Sequence, residues 1–267
     1  MGRQPPPESD YEFVMPTELL SIRQTTPLGA PPEADAGPCC HSCAYSHVCQ
    51  DEGYGKRELA ALQCVVEPVP SVASGEHLFR RGEPFRALYA VSSGSVKTSI
   101  FTRDGREQVL GFYLPGEVVG LNGIYPESYP CDALALERSS FCHLAFPAMR
   151  SLATELPVVQ QHLLRMLSKE LGMASLLAGE HSAEERVAAF LLDLGERYAR
   201  RGQSSTVFRL AMSRSDIASY LRLAPETVSR VISRFRDKHW VSIHGRRVQL
   251  HDVDALGELG YQLTAAA

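Results

Sequence analysis

The stretch Ala224-Pro225-Glu226-Thr227-Val228-Ser229-Arg230 decides how the C-terminal part of this chain folds. Pro225 suits the first turn of a helix, because its ring holds φ near the helical value and its missing N–H has no partner there. The apolar residues that follow recur at spacings of three and four, which predicts a helix with one buried face. They are Val228, Val231, Ile232 and Phe235.

The residues on either side complete a recognisable unit. Ser213-Arg214-Ser215-Asp216 is a helix start, and the short helix that it opens has apolar positions at Ile217, Ala218 and Leu221. A tight turn, Arg222-Leu223-Ala224, joins the two helices. A short strand is predicted before them at Val207–Leu210, and a β-hairpin after them at Trp240–Ile243, Gly245 and Val248–Leu250. Two short helices, a tight turn and a hairpin predict a winged helix-turn-helix.

The exposed face of the second helix carries the chemistry of a base reader. Arg230 can pair with guanine O6 and N7, Glu226 can accept from cytosine N4, and Ser229 can approach either edge. Thr227 belongs to the same turn. The basic residues around this helix are better placed to hold phosphates: Arg214, Arg234, Arg246 and Arg247. The alternative is a surface Glu–Arg ion pair on an ordinary helix.

The charge distribution agrees with nucleic-acid binding. The net charge of the 267 residues is −4, but residues 181–267 carry +3 and residues 1–180 carry −7. The window 209–247 has nine basic and three acidic residues. A basic block within an acidic chain is expected of a nucleic-acid-binding domain, although a solvated helix face would have the same composition.

The middle of the chain, from about residue 63 to 146, predicts an all-β barrel or jelly roll. Short alternating runs are separated by turns every ~10–12 residues. The Asp104-Gly105 pair is the strongest hairpin signal among those turns. This region ends with the predicted strand Ser139–Leu144.

A long helix is predicted over residues 157–179. Its apolar stripe has the spacing of a coiled coil, which predicts either a symmetric dimer along this face or a helix packed on its own core. The stripe consists of Leu164, Leu167, Leu171, Ala174 and Ala178. After it, Ser182-Ala183-Glu184-Glu185 is a capping-box start for a helix that runs to about Arg200.

The N-terminal region contains a cysteine cluster. Residues 1–38 are rich in proline and are predicted to be largely disordered. Cys40, Cys43 and Cys49 follow with C-x2-C-x5-C spacing. Thiolates at this spacing suit a zinc or an iron–sulfur centre, and the spacing alone excludes neither.

Two ligand assignments stay open from the residues alone. Cys39 can replace Cys40 as the first ligand. A fourth ligand can come from Cys131 or Cys142, although a lone strand cysteine is by default a packing residue.

The composition places this chain among soluble intracellular proteins. No apolar run approaches the ~20 residues of a membrane span, and the first ten residues lack a secretory h-region. We therefore expect a cytoplasmic protein without a membrane partner, in which cysteines are ligands or free thiols. The sequence has neither a Rossmann glycine fingerprint nor a P-loop, which argues against an enzyme.

Taken together, these motifs resemble the FNR branch of the CRP/FNR transcription regulators. The resemblance covers residues 38–260 and rests on the cysteine spacing, the glycine-punctuated β-region, the long helix, Ala183-Glu184-Glu185-Arg186 and Glu226-Thr227-Val228-Ser229-Arg230. It implies an α+β fold: a jelly-roll-like sensor domain of the cyclic-nucleotide-binding type, a dimerisation helix and a winged helix-turn-helix.

The resemblance also implies a function. A [4Fe-4S] cluster would be held by Cys40, Cys43 and Cys49, with Cys142, and not Cys131, as the fourth ligand. Without oxygen the homodimer would bind double-stranded palindromic DNA with TTGAT-like half-sites and act as an activator with RNA polymerase. Oxygen would degrade the cluster and separate the dimer. Val48, next to Cys49, would shield the cluster and tune its reaction with oxygen.

The sequence departs from the wider family at two places. The stretch Gly116–Asn122 and the following Ser128–Cys131 lack the second acidic residue and the arginine that hold a cyclic nucleotide, so we expect none to bind. Arg222 occupies a turn position often held by glycine, and Ala224 stands where a Ser or Thr helix cap is expected, which costs about 1 kcal/mol.

The domain organisation predicted from the sequence has five parts. These are a disordered segment (1–38), a cluster-binding segment (39–62), the β-roll (63–149), the dimerisation helix (150–180) and the DNA-binding domain (181–267). The alternatives to an oxygen sensor are the same regulator with structural zinc or thiol oxidation as its sensor, and an iron–sulfur redox protein.

Overall fold

The computed structural model describes residues 60–61 and 65–264. The segment 1–38, nearly all of the cysteine segment 39–62, and Cys64 lie outside these residues. Eight strands come first, and all of their pairings are antiparallel. They are β1 (Val66–Pro68), β2 (His77–Phe79), β3 (Ala87–Ser93), β4 (Val96–Phe101), β5 (Glu107–Tyr113), β6 (Val118–Val119), β7 (Asp132–Ala135) and β8 (Ser140–Ala145).

The eight strands form two four-stranded sheets, with strand orders β1-β8-β3-β6 and β2-β7-β4-β5. Sequential strands do not simply pair in turn, because the chain crosses between the sheets, as in a jelly roll. Apolar side chains from both sheets meet in one core between them. Its buried members are Phe79, Val91, Val96, Val119, Tyr129, Cys131, Ala133 and Phe141.

The hairpin between β4 and β5 turns at Asp104-Gly105, as the sequence predicts. Gly105 has φ +78°, which glycine adopts without strain. The Thr102 N–H donates to the Arg106 carbonyl at 2.9 Å, and the Thr102 hydroxyl donates to Asp104 Oδ1 at 2.5 Å. The turn residues therefore close the hairpin and fix the register of the two strands.

Two helices follow the β-roll, where the sequence predicts a long helix over residues 157–179 within a dimerisation segment of 150–180. The first, α1, spans Phe146–Glu155, and the second, α2, spans Pro157–Ala178. The predicted helix over 157–179 is confirmed by α2, and residues 150–155 of the dimerisation segment belong to α1. Leu156 is extended (φ −122°, ψ 98°), because the ring of a following proline disfavours helical backbone.

The C-terminal domain contains four helices and a three-stranded sheet of order β10-β11-β9. The capping box predicted at Ser182 with Glu185 is confirmed, and the helix start predicted at Ser213 is also a capping box, closed by Asp216. The elements are α3 (Ala183–Ala199), β9 (Val207–Arg209), α4 (Arg214–Leu221), α5 (Pro225–Asp237), β10 (Val241–His244), β11 (Arg247–Leu250) and α6 (Val253–Thr264).

The two domains share apolar packing through β5. Phe112 lies 5.2 Å from Tyr220 and 6.1 Å from Phe190, measured between ring centroids. Val109 and Leu114 are also buried in the core of the C-terminal domain. The predicted α+β fold is confirmed, with one face of the β-roll supporting the helix-turn-helix. Between residues 65 and 264, no helix combines the length and apolarity needed to cross a membrane.

Candidate nucleic-acid interface and cysteine site

The helix-turn-helix is built from α4, a three-residue turn and α5. The Arg222 N–H donates to the Ser219 carbonyl at 3.2 Å, and the Leu223 N–H donates to the Ala218 carbonyl at 2.9 Å. Arg222 has left-handed backbone (φ 55°, ψ 44°), which reverses the chain sharply at the end of α4. The turn therefore holds α5 at a fixed angle to α4.

One face of α5 is buried and the other is open to solvent. The four apolar residues predicted to face inward are buried: Val228, Val231, Ile232 and Phe235. Glu226, Ser229 and Arg230 are exposed, and Thr227 is half-buried at the edge between the two faces. The open face thus presents a carboxylate, a hydroxyl and a guanidinium within one helical turn, a set that can recognise base edges.

The basic residues around α5 differ in their surroundings. Arg214 is exposed at the first position of α4. Arg234 is 57% exposed, and its Nη1 lies 2.5 Å from Glu184 Oε1 in α3. Arg246 donates to the Ala211 carbonyl at 3.1 Å, and Arg247 is exposed on the hairpin. Arg234 must therefore exchange Glu184 for a phosphate if it is to bind DNA, whereas Arg214 and Arg247 are open.

Among the predicted cluster ligands, only Cys142 lies within the described residues. It is half-buried in the middle of β8. Cys40, Cys43, Cys49 and the neighbouring Val48 lie outside. The structure therefore locates one of the four cysteines. That all four come together around one cluster remains a prediction.

Cys131 has the surroundings of a packing residue. It is fully buried, and Asn122 Nδ2 donates to its sulfur at 3.3 Å. Burial raises the pKa of the Cys131 thiol, which disfavours the thiolate that a metal needs. Of the two candidates for a fourth ligand, Cys142 is half-buried and Cys131 is fully buried.

The chain downstream of the cysteine segment returns to the strand that contains Cys142. β1 pairs with β8, so that Pro68 lies opposite Cys142 and Val66 lies opposite Leu144. Ala61 and Val66 pack against the apolar cluster that contains Leu144. Cys49 precedes Val66 by 17 residues, a length of chain that allows the cysteine segment to reach β8.

The helix α2 exposes part of its apolar surface. Leu164, Leu167 and Leu171 are 59%, 38% and 69% exposed, and Ala174 is also exposed. Leu163 and Met166, on the adjoining face, pack against the β-roll cluster. One face of α2 thus covers its own domain, and the predicted dimer stripe is uncovered from Leu164 to Ala174.

The stretch associated with cyclic-nucleotide binding contributes to an aromatic core. Tyr129 stacks on Phe79 with ring centroids 3.8 Å apart, and the edge of Phe85 packs on Tyr129 at 5.5 Å. The Tyr129 hydroxyl donates to the Ala87 carbonyl at 2.8 Å. Residues 116–131 include neither arginine nor lysine. This stretch therefore contributes an aromatic side chain to the core and has no cation of its own.

A cluster of charged side chains, Glu117 with Arg197 and Arg201, joins the two domains and is called the charged joint below. The sequence patterns did not predict it. Glu117, in the turn after β5, accepts from Arg197 Nε at 2.9 Å and Nη2 at 2.6 Å, and Arg201 Nη2 lies 2.7 Å away. Burial disfavours the Glu117 carboxylate, but the two guanidiniums outweigh it and lower its pKa to about 2. The only local signal was two arginines four residues apart, on one face of α3.

Comparison with known proteins finds a matching domain family for the β-roll and for the C-terminal domain, and relatives that match most of the chain. The Crp-like helix-turn-helix domain family matches residues 185–259, and the cyclic nucleotide-binding domain family matches residues 69–155. The transcriptional activator protein anr of Pseudomonas aeruginosa is 39% identical over 234 residues, which cover 86% of this chain and 94% of the relative.

Two further relatives agree. The fumarate and nitrate reduction regulatory protein of Escherichia coli K12 is 35% identical over 223 residues, covering 82% of this chain and 89% of the relative. The solved structure of FixK2 from Bradyrhizobium japonicum superposes with a TM-score of 0.65 at 30% identity, covering 73% of this chain and 98% of FixK2.

Proposed function

Because the chain belongs to the FNR-type branch of the CRP/FNR transcription regulators, and is therefore a regulator and not an enzyme, we propose that it is an oxygen sensor with a [4Fe-4S] cluster. In the absence of oxygen it dimerises along α2 and binds palindromic DNA with TTGAT-like half-sites. It thereby controls genes of anaerobic metabolism.

The open face of α5 is the observation that carries the DNA-binding part of this proposal. Glu226 and Arg230 are exposed on a helix that is buried on its other side, so they can enter a major groove without disturbing the core. Arg230 donates to guanine O6 and N7, and Glu226 accepts from the N4 of the paired cytosine. Ser229 lies beside them. This set reads the G·C pair of a TTGAT half-site.

The cluster assignment is supported by the donor set. Cys40, Cys43, Cys49 and Cys142 supply four soft thiolates, and Cys142 is accessible where Cys131 is not. A bound [4Fe-4S] cluster supplies an oxygen-labile covalent link between the cysteine segment and β8. The pairing of β1 with β8 holds the cysteine segment close to the β-roll.

The dimer part of the proposal is supported by the uncovered stripe on α2. Leu164, Leu167, Leu171 and Ala174 repeat with coiled-coil spacing, and a second copy of the chain buries them symmetrically. Two copies of α5 then face successive major grooves of one palindrome.

The remaining partners follow from this role. As an activator the protein contacts RNA polymerase, and it acts in the cytoplasm, where the chromosome lies. It responds to oxygen without a cyclic nucleotide, since the aromatic packing of Tyr129 and the lack of a basic residue over 116–131 leave the nucleotide phosphate without a cation.

The cluster is tested by anaerobic purification followed by an absorbance spectrum and by iron and sulfide assays, repeated after exposure to air. We expect a brown protein with about four iron and four sulfide per chain that bleaches in air. Cys142→Ala should lose the cluster, and the matched control Cys131→Ala should keep it. A colourless protein with one zinc, or one without metal, would contradict the oxygen sensor.

DNA binding is tested by fluorescence anisotropy with a duplex that contains the palindrome. Replacing the G·C pair of each half-site by A·T should weaken wild-type binding by about 1–3 kcal/mol per half-site. Arg230→Ala should weaken binding and abolish that preference. If wild-type protein binds both duplexes equally, α5 does not read this site.

A further inference from the structure

Arg222 has an unusual backbone conformation at the end of α4. With φ 55° and ψ 44°, it lies in the left-handed region, which disfavours side chains with a Cβ and favours glycine. Among the described residues, only two others that are not glycine have positive φ, Glu127 and His239. An arginine is therefore conformationally unfavourable at this position. The backbone conformation does not account for the presence of an arginine here.

The Arg222 side chain is exposed and carries its charge into solvent. None of the described residues forms an ion pair or a side-chain hydrogen bond with its guanidinium. Two other arginines of this domain are neutralised by carboxylates: Arg209 by Glu137 at 2.8 Å and Arg234 by Glu184 at 2.5 Å. Arg222 thus keeps a positive charge that nothing within the described residues compensates.

The backbone that carries this charge is held firmly. The Arg222 N–H is bonded within the last turn of α4, and the next residue, Leu223, is partly buried against the core of the C-terminal domain. Three residues after Arg222 the helix α5 begins, at Pro225. The guanidinium therefore extends from a rigid point beside the N-terminus of the recognition helix.

The same N-terminus lacks a polar side chain. Its N-cap residue, Ala224, makes no side-chain hydrogen bond, and Pro225 has no N–H to donate. In a helix-turn-helix on DNA, this end of the second helix enters the major groove, and the turn before it lies near the phosphates at the groove edge. A hydroxyl at position 224 could have reached a phosphate, whereas alanine cannot.

We propose that Arg222 is a DNA-backbone anchor: its guanidinium binds a phosphate at the edge of the major groove and positions α5 for base reading. It replaces the anchoring that Ala224 does not provide, and it contributes affinity without base preference. This inference rests on the proposed function, because it requires α5 to lie in the groove.

The test uses full-length, cluster-loaded protein and the variant Arg222→Gly. Anisotropy titrations with the palindromic duplex are repeated at several salt concentrations, and thermal unfolding is measured without DNA. Relief of the left-handed strain should raise the midpoint of unfolding of the variant. Loss of one phosphate contact per chain should weaken binding roughly tenfold at 0.1 M salt and reduce the salt slope by about 0.9 per chain.

Two further variants separate a phosphate contact from a general loss of charge. Arg222→Lys keeps a cation in the same turn and should retain most of the salt slope. Arg106→Gln removes an exposed cation from the β4–β5 hairpin and should leave the slope unchanged. The ratio of affinities for the palindrome and a scrambled duplex should be the same in Arg222→Gly and in wild type.

The outcomes distinguish a failure of the anchor from a failure of the proposed function. If Arg222→Gly is more stable and binds with the wild-type salt slope, the anchor is refuted while the proposed function stands. If its affinity falls but its slope does not, Arg222 acts through the shape of the turn and the anchor is again refuted. If wild type itself does not bind the duplex, the proposed function fails and the anchor fails with it.

Discussion

Lys97 of the β-roll lies 2.6 Å from Asp216 of the helix-turn-helix, measured from Nζ to Oδ1. The other oxygen of Asp216 accepts from the Ser213 N–H at 2.9 Å, closing the capping box of α4. Lys97 also lies 2.9 Å from Glu107. The carboxylate that starts α4 is therefore shared with the β-roll, which couples the helix supporting α5 to the N-terminal domain.

Replacement of Lys97 by methionine should destabilise the protein. Burial opposes the charge on Asp216, but hydrogen bonds from Lys97 and Ser213 outweigh it and lower its pKa. Without Lys97 the carboxylate stays partly buried and loses its cation, which should lower the free energy of unfolding by about 2 kcal/mol. Urea unfolding at pH 7 measures this change.

The matched control is Arg106→Met. Arg106 and Asp104 are also 2.6 Å apart, but their side chains are 85% and 52% exposed. An exposed pair contributes less than ~1 kcal/mol, so this variant should be close to wild type. Equal losses in the two variants would show that the Lys97–Asp216 pair has no special role.

The free energy of unfolding should depend on pH through the Glu117 carboxylate. Its pKa is about 2 in the folded protein, compared with 4.5 as the ordinary value. A lowered pKa means that the stabilisation is fully present above pH 4.5 and is lost as pH falls from 4.5 towards 2. The difference in unfolding free energy between wild type and Glu117→Gln should therefore be largest near pH 7 and shrink by roughly 2 kcal/mol by pH 3.

Glu117→Asp is the control for this experiment. It keeps a carboxylate near Arg197 and Arg201, so its stability should be lower than that of wild type while still declining below pH 4.5. A difference between wild type and Glu117→Gln that is constant with pH would mean that the Glu117 charge does not hold the joint together.

Leu171→Asp should prevent dimerisation. Leu171 is 69% exposed in the single chain, so the change leaves the fold intact and places a charge in the proposed helix pairing. Sedimentation of anaerobic, cluster-loaded protein should show a monomer, with at least tenfold weaker binding to the palindrome. Val253→Asp, at a 42% exposed position on α6, should stay dimeric. A dimeric Leu171→Asp would place the interface elsewhere.

Ala224→Ser should stabilise the recognition helix. The backbone of Ala224 (φ −72°, ψ 143°) already has the conformation of a helix cap. A serine hydroxyl there can accept from the Thr227 N–H and should raise the free energy of unfolding by about 1 kcal/mol. Ser182→Ala, which removes an existing cap from α3, should lower it by a similar amount. A loss of stability in Ala224→Ser would show that the turn has no room for the cap.

The helix-turn-helix was predictable from the sequence because its signals are local. Ser213 and Asp216, Pro225, and the three-and-four spacing of Val228, Val231 and Ile232 act within one or two helical turns. The break between α1 and α2 was also encoded locally, by Pro157. The predicted long helix accordingly begins at residue 157, as α2 does.

Tertiary structure decided which cysteine is accessible and how the two domains meet. Cys131 and Cys142 both lie in the β-region, and only the pairing and packing of the sheets bury the first and leave the second half-buried. Lys97 and Asp216 are 119 residues apart, and Glu117 and Arg197 are 80 apart. The sequence by itself determined the helices of the helix-turn-helix and the exposed face of α5, because helix caps and periodicity act over short distances. The joint depends on contacts between distant segments, for which the chain carries no local pattern.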